Sequence, residues 1–441
     1  MSNMFRDVAG VRTGRIAQLL AEVRGNVRRD VASTVVGNVV GAIAAFAAGA
    51  VLARWLGPAL RGVFEFGLFI ANSGVLLFSL GLNIPVSVFL SRDPATSIWS
   101  YRFGLWWLGG LLVLGSALVV MTRGVVPAVS LGPSFRGIAS GTLVVFGSLF
   151  LTQLANAVLI GLGRIQRLNV GVIVRWSVYF VGVLSLSLTA RPDAEIALAW
   201  YATAALASVF VTWGGFRDLS RSAEVARTSV AARRAAVWYG IRGQLGNLLQ
   251  FASYRFDVLI VGLWVGTTGL GVYSVGVMFA EALWLLPNAV GTVLLSHTSR
   301  SATDVSDQRI RIVFPLAMGA VLLAASVVSV MAPIVASLYL GPAYAKVPIV
   351  TWLLIPGAVA LSGSKVLANE LTARGFPGVN TMVAACGAVT TIAGDVLLIP
   401  PYGILGASIA SSIGYTLTFA LMFLAFCRRT GIWPFWFWQE T

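Results

Sequence analysis

Charged residues are scarce in this sequence. Only 11% of its 441 residues are charged, whereas 58% are hydrophobic. A soluble domain carries roughly 25% charged residues, so this composition cannot form a water-exposed surface unless lipid covers most of the chain. The composition therefore excludes a soluble globular protein and predicts an integral membrane protein with essentially no soluble domain.

Cysteine and histidine are scarcer still. The two cysteines, Cys386 and Cys427, lie in apolar stretches, and His297 is the single histidine. They form neither a disulfide framework nor the spacing of a metal site, so we expect no metal and no organic cofactor. For His297, near the inner end of a predicted helix, a position at the membrane interface is favoured over a proton relay.

Positive charge exceeds negative charge. Thirty-one Lys and Arg residues against sixteen Asp and Glu give a net charge of +15. In a soluble protein this excess would indicate nucleic-acid binding, but here the positive-inside rule explains it, and we expect no nucleic-acid partner. Residues 1–31 show no cleavable signal peptide and are predicted to be a basic cytoplasmic segment. This segment is either a plain topogenic signal or a lead-in that rests on anionic lipid.

Apolar runs of the ~20 residues that a membrane helix needs occur repeatedly. The twelve predicted spans are 32–53, 63–90, 104–121, 137–161, 169–189, 195–214, 237–265, 270–297, 311–339, 347–368, 379–399 and 403–427. The sequence thus predicts an all-α integral membrane fold.

The distribution of basic residues over the loops predicts the orientation. With the N-terminus in the cytoplasm, the inner segments hold twenty-one Lys and Arg residues and the outer loops hold six, Arg61 among them. Both termini are therefore expected in the cytoplasm. The basic stretch 215–236 is predicted to be a cytoplasmic linker between six-helix bundles at 32–214 and 237–427, and 428–441 a cytoplasmic tail.

An internal repeat supports two similar halves. Gly57, Gly62, Val63, Phe64 and Gly67 match Gly266, Gly271, Val272, Tyr273 and Gly276 at an offset of 209 residues. Because each half has an even number of spans, the halves are predicted to be parallel repeats. Gly57, Pro58 and Gly62 are expected to form a short outward-facing hairpin, and Gly67 to permit close helix contact.

Several phrases resemble one family of membrane transporters. Residues 52–64 (LARWLGPALRGVF), 254–262 (YRFDVLIVG), 270–275 (LGVYSV) and 160–164 (IGLGR) are similar to motifs of the bacterial Wzx-type polysaccharide flippases. These flippases belong to the multidrug/oligosaccharidyl-lipid/polysaccharide exporter superfamily. The resemblance extends in order over nearly the whole chain.

The resemblance implies a fold and a task. Two six-helix bundles would enclose a central cavity that opens alternately to each side of a bacterial inner membrane. A monomer would flip an undecaprenyl-diphosphate-linked oligosaccharide to the outer leaflet for surface polysaccharide such as O-antigen or exopolysaccharide. The implied partners are membrane lipids, glycosyltransferases and a polysaccharide polymerase. Members of the family are not ATPases, and some use an ion gradient.

Ionisable residues inside predicted spans are the candidate site residues, because lipid exposure of each costs at least ~2.5–3.5 kcal/mol. They are Glu65, Arg175, Arg242, Arg255, Asp257, Glu281, Lys365 and Asp395, with Glu195 and Glu370 at span edges.

Arg255 leads these candidates, because it lies near mid-depth and its guanidinium suits pyrophosphate oxygens. A permanent ion pair with an acid elsewhere is the alternative. Asp257 lies two residues along the same helix, about 200° around it, and is expected to reach a neighbouring helix. Arg242 either meets the incoming diphosphate or extends to lipid headgroups, and Arg175 carries the same two alternatives.

Glu65, Glu281 and Asp395 are candidates for H+ or Na+ coupling, or for ion pairs that hold the bundles together. Tyr254, Tyr273 and Trp284 are candidates for stacking on sugars. Two other functions remain open: an ion-coupled drug or small-molecule antiporter of the same superfamily, and a polytopic glycan polymerase or glycosyltransferase. Short outer loops and the lack of a DxD or nucleophile–base set disfavour an enzyme.

Overall fold

The computed structural model describes residues 2–90, 93–125, 134–212, 228–285, 287–288, 290 and 303–434. Side chains are described from residue 37 onward within these ranges, apart from 121–125, 134–137 and 303–306. Throughout these ranges the regular structure is helical, with no β-strand.

The described helices fall into two sets along the chain. In the N-terminal half they are α1 (Ser2–Phe78), α2 (Asn83–Phe89), α3 (Pro94–Val125), α4 (Ser134–Gly161), α5 (Ile165–Thr189) and α6 (Ala194–Thr212). In the C-terminal half they are α7 (Val230–Trp264), α8 (Thr267–Glu281), α9 (Thr303–Val335), α10 (Val347–Ala373), α11 (Pro377–Tyr402) and α12 (Ile404–Thr430). Short turns at Ala282–Trp284, Ala336–Leu340 and Pro342–Tyr344 extend α8 and α9 and precede α10.

The all-α membrane fold expected from the sequence is confirmed. Among the described residues, nine helices are long and apolar enough to cross a membrane, and α1 is counted once although it contains two predicted spans. The second of these spans continues through α2. Helix α7 begins at Val230, earlier than the predicted residue 237. The predicted linker 215–236 lies outside the described residues up to 227, as does His297.

The bend in α1 is a tighter turn than the sequence predicts. Gly57 alone breaks the helix, with φ 68° and ψ 171°, and Pro58 starts the second arm directly. Proline suits this first helical position because its missing N–H would have no intrahelical partner there. The repeat-equivalent Gly266 adopts nearly the same conformation, φ 91° and ψ 175°, before α8. We call this end of the molecule the bend end.

Gly62 is helical rather than part of a turn, and it brings the two halves together. A Cβ on Gly62 would lie 1.8 Å from the carbonyl oxygen of Thr267, and a Cβ on Gly271 would lie 1.8 Å from that of Pro58. Pro58 and Thr267 are themselves equivalent at the 209-residue offset. The contact is therefore reciprocal, as expected for halves related by a pseudo-two-fold axis, and only residues without a side chain fit there.

Each half has its own apolar core, and α1 contributes to both. Leu52, Phe64 and Leu198 are among the buried residues of the N-terminal core, whereas Ala53 and Phe66 of α1 pack with the core of the C-terminal half. Across the same boundary, the Tyr344 hydroxyl donates a 2.8 Å hydrogen bond to the carbonyl oxygen of Ala53.

A second contact between the halves lies at the break between α1 and α2. Leu80 and Gly81 have positive φ angles there, 53° and 63°. A Cβ on Gly81 would lie 2.2 Å from the carbonyl oxygen of Gly240 on α7. The two halves thus touch at Gly62, near the start of the second α1 arm, and at Gly81, just beyond the end of that arm.

The α1–α2 break frees backbone carbonyls that need partners in a membrane. The side-chain amide of Gln244 donates to the Leu76 carbonyl oxygen at 3.0 Å and to the Ser79 hydroxyl at 3.3 Å. The Trp107 indole donates to the Phe78 carbonyl oxygen at 2.8 Å. Gln244 therefore acts as a cap supplied by the other half of the molecule.

Candidate functional site

Arg255 forms an ion pair with Glu281. Its guanidinium lies 2.8 Å from one carboxylate oxygen of Glu281 and donates to the other at 2.9 Å. The pair joins α7 to the end of α8, and the two side chains keep 36% and 24% of their exposure. In this conformation Arg255 is compensated by an acid on another helix, which was one of its two predicted roles.

Lys365 of α10 lies beside an aromatic cluster formed by Tyr254, Trp284 and Tyr415. The three ring centroids are 5.4 to 5.9 Å apart. The Lys365 ammonium is 4.8 Å from the centroid of the Trp284 ring and 5.2 Å from that of the Tyr254 ring. Such distances are typical of cation–π contacts. Within the described part of the chain, this ammonium makes no hydrogen bond or salt bridge.

The N-terminal half holds a comparable group of charged and aromatic residues. Arg61 pairs with Glu65 one turn along the second arm of α1. Arg175 donates a 2.7 Å hydrogen bond to the Tyr201 hydroxyl, and its guanidinium lies 5.1 Å from the Tyr201 ring centroid. Glu65 also interacts electrostatically with Arg255 of the other half, so the charged groups of the two halves face each other.

Arg61 is buried rather than part of an outer loop, where the sequence predicts it. Only 5% of it is exposed. Because the chain bends at Gly57 without a loop, Arg61 lies inside the helical arm, four residues from Glu65. Sequence reasoning also missed Tyr201 and Tyr415, whose roles depend on helices α6 and α12 packing against the charged residues.

Asp257 and Asp395 belong to a buried polar cluster between α7, α8, α11 and α12, and Asp257 also interacts electrostatically with Arg255 and Tyr415. Asp257 is 3% exposed, accepts a short hydrogen bond from the Tyr273 hydroxyl and lies 3.5 Å from the Ser411 hydroxyl. Asp395 is fully buried, and neither of its carboxylate oxygens has a hydrogen-bond partner among the described groups. The two carboxylates interact electrostatically, and Thr391, one turn before Asp395, has an unpartnered hydroxyl.

The remaining sequence candidates lie away from these clusters. Arg242 is exposed, and its guanidinium lies 5.7 Å from the Trp238 ring centroid. Glu195 accepts a 2.6 Å hydrogen bond from Ser140. Glu370 is fully buried and pairs with Arg374 at 2.9 Å.

Comparison with known proteins places the fold. No family model matches the sequence, and no curated protein sequence matches it. Among solved structures, the chain is similar to an inward-facing multidrug resistance transporter of the MATE family in the MOP superfamily. The TM-score is 0.66 at 15% identity over 88% of this chain and 94% of that one.

Two further structures extend the comparison. The lipid II flippase MurJ in an inward closed conformation gives a TM-score of 0.67 at 12% identity over 90% of this chain and 87% of that one. A Vibrio cholerae MATE transporter gives 0.61 at 14% identity over 92% and 97%. The protein is therefore a multi-pass membrane protein with the fold seen in transporters of the MOP superfamily.

Proposed function

We propose that the protein is a flippase for an anionic lipid-linked oligosaccharide, moving it between leaflets by alternating access. The carrier would be undecaprenyl diphosphate, and the cargo would serve surface polysaccharide synthesis at a bacterial cytoplasmic membrane. Both termini would lie in the cytoplasm, and the bend end would face outward. The protein would act as a transporter rather than an enzyme.

The charge balance at the interface between the halves carries this proposal. Glu65 and Glu281 are each neutralised by an arginine. Arg175 and Lys365 form no salt bridge within the part of the chain described, although Glu281 also interacts electrostatically with Lys365. The charged groups that face each other across the two halves therefore have a positive surplus, which suits a diphosphate or an acidic glycan.

A drug antiporter is the second candidate, because multidrug transporters show nearly the same fold similarity as the flippase. A cationic drug needs uncompensated carboxylates in the path. Of the four in-span acids, two are paired with arginine, and the other two are enclosed in the buried cluster. This arrangement favours the anionic cargo.

The proposal includes coupling to H+ or Na+ at the Asp257–Asp395 cluster. Glu65 and Glu281, the other two candidates, are engaged by arginines, whereas the oxygens of Asp395 lack partners. Burying two interacting carboxylates is costly when neither forms a salt bridge among the described residues, so a proton or a small cation would stabilise the cluster. Its occupancy would then favour one conformation of the C-terminal half.

A reconstituted flipping assay tests the function. Full-length protein in proteoliposomes is given a fluorescent, short-chain polyprenyl-diphosphate oligosaccharide, and the label exposed in each leaflet is followed by a membrane-impermeant quencher. We expect accelerated transfer of the diphosphate-linked glycan and no accumulation of a cationic dye such as ethidium. Ethidium transport without glycan transfer would replace the flippase with the antiporter.

The coupling proposal has its own variant. Asp395→Asn should abolish the dependence of flipping on an imposed H+ or Na+ gradient while leaving gradient-independent equilibration measurable. Applying each gradient separately identifies the ion. Ser408→Ala, a buried change on α12, serves as the control. Unchanged gradient dependence in Asp395→Asn would remove this cluster from the coupling mechanism.

A further inference from the structure

Lys365 is unusual among the membrane-embedded charges. It is half-buried on α10, beside the rings of Trp284 and Tyr254, and the carboxylate of Glu281, with which it interacts electrostatically, is already bound by Arg255. A charged side chain inside a membrane helix is normally paired with another group. Cation–π contacts compensate only part of that requirement, because each contributes about 0.5–2 kcal/mol.

A second polar group in the same cluster also lacks a partner. The Trp284 indole N–H is buried and has no hydrogen-bond acceptor among the described residues. Among the described residues, the Tyr254 hydroxyl has only a long, 3.4 Å contact with Gln250. The cluster thus offers an ammonium and an indole donor next to three rings, and neither donor has a hydrogen-bond acceptor among the described residues, although Glu281 interacts electrostatically with the ammonium. Leaving a buried donor unsatisfied costs about 1–3 kcal/mol.

We propose that Lys365, Trp284, Tyr254 and Tyr415 form a subsite for an acidic sugar residue of the cargo. This inference rests on the proposed flippase function and specifies the glycan that it carries. The aromatic rings would contact the apolar C–H face of the sugar, the Lys365 ammonium would pair with its carboxylate, and the Trp284 N–H would donate to a sugar oxygen.

The aromatic rings separate this subsite from a diphosphate site. A diphosphate has no apolar face and gains nothing from three packed rings, and a guanidinium fork suits its oxygens better than a single ammonium. Arg175 provides such a fork in the other half, and the fork of Arg255, which interacts with Tyr415, is already bound by Glu281. The combination of rings and one ammonium fits a group that is both a ring and an anion.

The two lysines of the chain allow a direct binding test. Lys346 and Lys365 are the only lysines, and Lys346 caps the start of α10 outside the subsite. Full-length protein in nanodiscs is reductively methylated with trigalacturonate, maltotriose or inorganic pyrophosphate present, and mass spectrometry follows both lysines. We expect trigalacturonate to slow methylation of Lys365 at least fivefold, maltotriose to slow it less, and Lys346 to be unaffected.

Ring contact is tested with Trp284→Leu, which should reduce the protection by trigalacturonate at least threefold. Equal protection of Lys365 by pyrophosphate and trigalacturonate, or protection by neither, would overturn the acidic-sugar subsite. Retained protection in a folded Trp284→Leu protein would also overturn it.

Transport selectivity separates the subsite from the proposed function. Lys365→Met should lower flipping of a lipid-linked glycan with a uronic acid about tenfold relative to its neutral counterpart, and Lys365→Arg should restore most of this selectivity. An unchanged ratio in Lys365→Met refutes the subsite. If wild-type protein flips neither glycan while trigalacturonate still protects Lys365, the flippase function fails and the subsite remains.

Discussion

The reciprocal contact of Gly62 and Gly271 leads to a prediction about the closed bend end. In Gly62→Ala, the new methyl would lie 1.8 Å from the Thr267 carbonyl oxygen, whereas ordinary contact starts near 3.4 Å. The obstructing atom is backbone, so no side chain can rotate away. The halves must therefore separate locally by about 1.6 Å, the difference between these two distances.

Overpacking of this kind costs typically 1–3 kcal/mol. The penalty applies to the conformation in which the halves touch and is absent when they are apart. The equilibrium should therefore shift toward separation at the bend end by roughly 5- to 150-fold. The substitution acts on a conformational population and leaves the core of each half intact.

Spin labels placed next to the contact measure this shift. Ala59 and Thr268 are exposed and equivalent in the repeat, and both can be changed to cysteine after Cys386 and Cys427 are replaced by serine. Pulsed electron–electron double resonance in nanodiscs should show a population with a longer distance between the two labels in Gly62→Ala. Gly109→Ala, where a methyl meets nothing within 4 Å, is the matched control.

A double-substitution cycle sharpens the test. Gly271→Ala alone should have a similar effect, because its methyl meets the Pro58 carbonyl oxygen at 1.8 Å. Once the halves are apart, the second methyl finds space, so the combined cost should be well below the sum of the two. Strictly additive costs, or an unchanged distance distribution in well-expressed Gly62→Ala, would refute the reciprocal packing.

Three further outcomes follow from the polar contacts. Gln244→Ala should destabilise the protein by about 1–3 kcal/mol, because the Leu76 carbonyl oxygen at the α1–α2 break loses its donor; thermal unfolding in detergent measures this, and a stability equal to that of wild type contradicts it. Glu281→Gln should strengthen binding of pyrophosphate several-fold by removing the salt bridge of Arg255, as measured by calorimetry, whereas weaker binding would contradict this reasoning. Arg242→Gln should leave thermal stability, pyrophosphate binding and the flipping rate unchanged, because Arg242 is exposed. A lower flipping rate would show that it contacts cargo.

The sequence by itself determined that this protein lies in a lipid membrane, and it determined the outline of the architecture. A shortage of charge and repeated apolar runs are local properties of the chain, and lipid acts on each run separately, so the helical membrane fold could be predicted without knowledge of contacts. The repeat could be recognised because Gly57 and Gly266 meet the same backbone requirement, a positive φ angle at which glycine is favoured.

Only the tertiary structure decided which scarce charges meet. Arg255 pairs with Glu281, and Asp257 reaches Tyr273, because of how α7 and α8 are rotated against each other, and no local pattern records that rotation. Arg61 became buried because the chain bends at one residue rather than through a loop. The Lys365 ammonium, on which the glycan subsite depends and which forms no salt bridge among the described residues, meets its rings only when three other helical segments pack against α10.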